Sequence, residues 1–195
     1  MRTIPIVVIG ILIALGVGTA FFTRNSMRRG DGDGAITSNA SSGAQAIAQP
    51  NGQTPLRAPR EAPAGQKEYR DEHYRFALFY PDDLTVKMYD EGGGASTITF
   101  QNPTAAHGFQ IFVVPYAGTQ ISNAQFKKDV PSGVRRGAKD ATIDGVLATS
   151  FYSSNALLGE TAEAWFIKGG YLFEVTTLKP LDTWLANIMQ SWIFI

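Results

Sequence analysis

The sequence predicts an α+β domain over residues 69–195, an antiparallel β-sheet with helices packed against it, preceded by one transmembrane helix and a disordered linker. Three observations predict it. Composition changes abruptly near Tyr69; short segments of alternating apolar residues follow, separated by turn residues; and two stretches among them carry helical periodicity.

The N-terminal segment, 1–22, contains a run from Ile4 to Phe22 without a charge, rich in Ile, Val and Leu. As a helix this run spans roughly 28 Å, close to the hydrocarbon thickness of a bilayer. Its full length fits an uncleaved signal-anchor better than a cleaved signal peptide, although Gly18-Thr19-Ala20 offers a small-x-small site. Arg2 precedes the run and Arg24, Arg28 and Arg29 follow it, which by the positive-inside rule favours a cytoplasmic C-terminal side. The architecture favours the opposite, a single-pass cell-membrane protein with its domain on the extracytoplasmic side.

Residues 23–68 contain no aromatic side chain and are dominated by Gly, Ala, Ser, Gln and Pro. Such a stretch buries too little apolar surface to offset its ordering entropy and is expected to be a disordered linker. As a flexible coil its span is on the order of 40 Å, a tether with reach. Asp31-Gly32-Asp33-Gly34 resembles the start of a calcium loop, but Ala35, Ile36 and Ser42 stand where a ligand, Gly and Glu are required.

Within the domain, Tyr74, Phe76, Leu78 and Tyr80 alternate before the turn residues Pro81-Asp82-Asp83. Ile98 and Phe100 alternate with threonines after Gly92-Gly93-Gly94, and the segment 109–114 is apolar on both faces except at Gln110, the pattern of a central strand. A strand over 146–152 follows the turn Asp144-Gly145. Strands over 161–168 and 171–177 flank Gly169-Gly170, a two-residue hairpin signal. Ser122 and Gln125 form a capping box for a short helix ending before Pro131. A second helix, about 181–191, places Leu181, Trp184, Leu185, Ile188 and Trp192 on one apolar face.

Formal charge balances at 17 basic and 17 acidic residues, and the C-terminal part is mildly acidic, so nucleic acid is not an expected partner. Cysteine is absent, which removes disulfides, thiolate metal sites, cysteine nucleophiles and lipid attachment to a cysteine. The only histidines, His73 and His107, lie apart in sequence, and no ligand-spaced His, Asp or Glu cluster is present. No Gly-x-Ser-x-Gly elbow or phosphate-binding Gly-Lys-Ser/Thr occurs either. No metal, cofactor or catalytic set is therefore expected.

The order of landmarks resembles the Mog1/PsbP-like family of α+β sandwich domains. The matching pieces are Tyr74-Arg75-Phe76-Ala77-Leu78-Phe79-Tyr80-Pro81, Phe109-Gln110-Ile111-Phe112-Val113, Ile143-Asp144-Gly145-Val146-Leu147-Ala148, the hairpin from Trp165 to Val175, and the closing Ser191-Trp192-Ile193-Phe194. The resemblance covers nearly all of 69–195 and implies a non-enzymatic binding or assembly protein, with no catalytic residue to carry over. Its members include many membrane-anchored bacterial proteins of unknown role.

The Gly169-Gly170 hairpin supplies the one suggestive geometry. A two-residue loop sets Lys168 opposite Tyr171 and Trp165 opposite Glu174. One face then carries Ala164, Phe166, Phe173 and Val175 toward a core; the other carries Glu163, Trp165, Glu174 and Thr176. Glu163 lies diagonal to Glu174 at about 7 Å between Cβ atoms, with the indole between them. Two carboxylates beside an aromatic can bind a sugar or cation, or act as an acid/base pair. The bland alternative is a solvated outer face with its Trp under a loop.

Three functions remain open. The first is a non-enzymatic, membrane-tethered binding or assembly module, with the membrane and an envelope protein complex as partners. The second is a small-molecule carrier or sensor with a pocket between sheet and helices. The third is an envelope-polymer hydrolase using Glu163 and Glu174.

Overall fold

The computed structural model describes residues 57–195 apart from 106 and 131. The expected transmembrane segment, the linker as far as residue 56 and the calcium-like motif lie outside the described residues. No helix among the described residues is long and apolar enough to cross a membrane.

Among the described residues the fold comprises ten strands and two short α-helices. The strands are β1 (Gln66–Asp71), β2 (Phe76–Pro81), β3 (Thr85–Gly92), β4 (Ala95–Gln101), β5 (Gly108–Pro115), β6 (Arg136–Ile143), β7 (Val146–Asn155), β8 (Gly159–Lys168), β9 (Tyr171–Leu178) and β10 (Ile193–Phe194). Helix α1 (Asn123–Asp129) lies between β5 and β6; a 3₁₀ turn, Lys179–Leu181, leads into α2 (Asp182–Met189). Every pairing is antiparallel. The strands form a three-stranded sheet, β1-β2-β10, and a seven-stranded one, β3-β4-β5-β9-β8-β7-β6.

Local chemistry accounts for most boundaries. Gly169 and Gly170 have φ of 61° and 83°, and Asp144 and Gly145 of 44° and 78°. Both pairs occupy the left-handed region that a two-residue turn between right-twisted strands requires. Ser122 accepts from the Gln125 amide at 3.1 Å and starts α1, as the capping signal predicts. The reciprocal half of the box is not made, because the Gln125 side chain bonds Asp129 instead. Helix α2 is shorter than the expected 181–191; Trp192 lies beyond it, yet still packs in the core.

Strand β5 is an interior strand, between β4 and β9, as its two-sided apolar pattern predicts. Four strands were not predicted: β1, β3, β6 and the two-residue β10, which pairs with β2. β3 and β6 form the two edges of the large sheet and are largely exposed, so neither shows an apolar alternation. β1 begins at Gln66, three residues inside the stretch assigned to the linker.

The large sheet has a core on each face. On one, Ile98, Phe100, Ile111, Phe166, Phe173 and Val175 pack against Phe76 and Leu78 of β2, against Leu185, Ile188 and Met189 of α2, and against Trp192. Trp192 stacks on Phe76 with ring centres 4.3 Å apart and meets Phe166 and Phe173 edge-on. On the other face a smaller cluster, Val130, Phe151, Trp165 and Leu172, is covered by Phe126 of α1 and by Tyr116 and Ile121.

Candidate functional site

The hairpin register is the one the sequence predicts, with Trp165 opposite Glu174 and Lys168 opposite Tyr171. Its polar face is not a solvated outer face, however. Trp165 is 1% exposed and lies stacked under Phe126 of α1, with ring centres 4.8 Å apart. Glu163 and Glu174 are 8% and 6% exposed. The sequence gives no sign of this cover, because α1 is short and comes from forty residues upstream.

Glu163 is saturated with donors. Ser153 Oγ and Thr161 Oγ1 each lie 2.7 Å from its Oε1, and Thr176 Oγ1 donates to Oε2 at 2.5 Å. The Trp165 indole N–H completes the set at 3.4 Å. These donors come from β7, β8 and β9, so the carboxyl group knits three strands together.

Glu174 stands in the opposite condition. Its Oε1 is buried and has no hydrogen-bond partner among the described residues. Burial, then the charge of Asp129 and a hydrogen bond with it, then Glu163, push its pKa up to about 10, against a small opposing effect of Lys128. Burial and the neighbouring negative charge favour the protonated form of Glu174, which lies beside Asp129 at the end of α1. The three candidate residues Glu163, Trp165 and Glu174 are thus brought together with their side chains beneath a helix, although Glu163 also contributes to the lining of a groove on the other face of the sheet.

One opening lies on the other face of the sheet. A groove of about 410 Å³ runs between α2 and the β6-β7-β8 side of the large sheet. Its floor is made of small side chains, Ala141, Ala162 and Ala164; Leu185, Ala186 and Met189 of α2 form the facing wall, and Ile143 closes one end. Antiparallel register accounts for the space. Ala164 pairs with Ser150 and Ala162 with Tyr152, so the floor has no large apolar side chain to fill it. Where Phe166 replaces alanine at the next inward position of β8, the core closes completely.

The polar rim comprises Lys139, Ser150, Tyr152, Asp182, Thr183 and Gln190. The Tyr152 hydroxyl donates to Asp182 Oδ2 at 2.7 Å, and the Thr183 amide and hydroxyl also donate to Asp182. The Tyr152 hydrogen bond, followed by those of Thr183, holds Asp182 below the usual carboxylate range. Sequence reading did not single out these residues. The available signal was a run of alanines at inward strand positions, 141, 162 and 164, facing a helix.

Of the two histidines, His107 sits 3.4 Å from Asp83 and meets Trp184 edge-on, while His73 packs on Tyr74 and Tyr171. Among the described residues no cluster of His, Asp and Glu could hold a metal ion.

With this geometry in view, the chain can be set beside known proteins. It is similar in fold to a solved PsbP. The solution structure of cyanobacterial PsbP (CyanoP) from Synechocystis sp. PCC 6803 matches 71% of this chain and 98% of its own, at 12% sequence identity and a TM-score of 0.49. At that identity the likeness concerns fold alone. No protein-family model and no curated protein matches the sequence.

Proposed function

We propose that this chain is a non-enzymatic binding module, held at a membrane by residues 4–22, whose domain takes a small, largely apolar molecule into the groove between α2 and β6-β7-β8. The groove is the observation that carries this reading. Its volume of about 410 Å³ suits a small-molecule site, and an apolar floor with a few polar groups at the rim is the usual design of one. The Lys139 ammonium and the Tyr152–Asp182 pair stand where a polar end of the ligand would emerge.

Burial of Glu163 and Glu174 argues against hydrolysis of a polymer at that pair. A glycan strand needs an open cleft between two carboxyl groups with room for water. Here one carboxyl is filled by hydroxyl donors and the other lies against α1.

The test is binding of the neutral fluorophore N-phenyl-1-naphthylamine to a fragment of residues 57–195. Saturable fluorescence enhancement is expected, lost when Ala164→Phe fills the floor and when Ala186→Phe fills the groove from the exposed side of α2. Equal binding by the wild type and both folded variants would defeat the reading.

A further inference from the structure

We propose that residues 57–60 brace the groove from outside, and that Arg60 is a positioning residue that sets the spacing of its two walls. The proposal rests on the reading of the groove as a binding site, and it adds a control on that site from the chain that leads into the domain.

The two walls belong to different elements. One ends at Ile143, beside the Asp144-Gly145 turn of the sheet; the other ends at Met189 and Gln190, at the C-terminus of α2. The segment preceding β1 touches the residue next to each end. Arg57 Nη1 lies 3.5 Å from Asp144 Oδ2, next to Ile143. Arg60 Nη1 donates to the Ser191 carbonyl at 2.8 Å, next to Gln190.

The segment is itself fixed to the small sheet, so it can transmit position. The Arg60 amide and Nε both donate to the Glu68 carboxylate, at 3.1 and 2.9 Å, and its guanidinium lies over the Phe79 ring at 4.1 Å. Arg70 donates to the Arg57 carbonyl. The Ser191 hydroxyl also accepts from the Phe79 amide at 2.8 Å, so the end of α2 is held on β2 beside Arg60. Asp144 in turn accepts from the Phe194 amide at 2.8 Å. A guanidinium suits this task because its planar fork serves the Glu68 carboxylate and the helix-end carbonyl together.

Residues 57–60 join the domain to everything N-terminal of it. A displacement of that chain therefore acts on both walls through Arg57 and Arg60, and changes the spacing between α2 and the sheet.

The absence of cysteine permits a direct test on the full chain in lipid nanodiscs. Nitroxide labels at Thr142→Cys and Gln190→Cys, one on each wall, report the wall spacing by pulsed electron spin resonance without any ligand. Arg60→Gln is expected to broaden the distance distribution and move it to longer values, and Arg60→Lys to recover part of the change. Glu68→Gln loosens the same bracket should Arg60→Gln fail to fold. An unchanged distribution in folded Arg60→Gln and Glu68→Gln would overturn the brace. Failure of the groove itself is read separately, by loss of fluorophore binding in the wild-type domain with the wall distances still responding to Arg60.

Discussion

The two faces of the seven-stranded sheet are built from the same strands and solve different problems. One face is mostly apolar, closed by stacked aromatics at its centre and left open, with a polar rim, where alanines meet α2. The other carries carboxyl groups and hydroxyls in its interior, and is closed by about two turns of helix. The difference teaches that polarity and openness are not aligned in this molecule. The polar face is the sealed one, and the apolar face holds the space.

The sharpest way to break that comparison is to remove an internal group from each face. Glu163→Ala removes the shared acceptor of Thr176, the Trp165 indole N–H and the Ser153–Thr161 hydroxyl pair, which is left to bond within itself, a loss of about 3–5 kcal/mol expected for one partner of a buried network. Phe173→Ala on the apolar face should cost a similar amount, about 3–5 kcal/mol, through the cavity it leaves. Urea unfolding of both variants checks whether a polar interior holds the sheet as firmly as an aromatic one.

Glu174 gives the next largest effect and has the opposite sign. In the unfolded chain it releases its proton near 4.5, in the folded chain near 10. Between those values the folded state binds more protons, so this residue's contribution to stability is present in full below about 4.5 and falls as pH rises toward about 10. Glu174→Gln keeps the donor to Asp129 and removes the titration. It should raise stability at pH 7 on the order of 2 kcal/mol and flatten the dependence of the urea midpoint on pH between 5 and 9.

Smaller effects belong to the groove. Ala186→Phe adds a side chain at an exposed helix position, so thermal stability should stay within about 0.5 kcal/mol while fluorophore binding is lost. Tyr152→Phe removes the leading donor to Asp182. Its carboxyl should then titrate at higher pH, as a side-chain carbon shift followed by NMR would show, with no change of fold.

Much of this fold was legible in the sequence where pattern and geometry coincide. The Gly169-Gly170 turn dictated the β8–β9 register, and so placed Glu163, Trp165 and Glu174 on one face before any coordinates. Ser122 announced α1, and the two-sided apolar run from Phe109 announced an interior strand. β3 and β6 escaped because an edge strand exposed to water has no apolar period to read. The cover over Glu163 and Glu174 escaped because it depends on a long-range contact, Phe126 on Trp165, which no local spacing encodes. The groove escaped for a related reason. A cavity is recorded in sequence only as side chains too small to fill it, and alanine in a strand is otherwise unremarked.

The account stands most directly on which face receives a ligand. Amide chemical shifts of residues 57–195, followed during titration with N-phenyl-1-naphthylamine, should move along Ala141, Ile143, Ala162, Ala164 and Leu185 to Met189. Those of Phe126, Trp165 and Glu174 should stay in place. Shifts centred on α1 and the Glu163–Glu174 face, with the α2 groove unmoved, would contradict it.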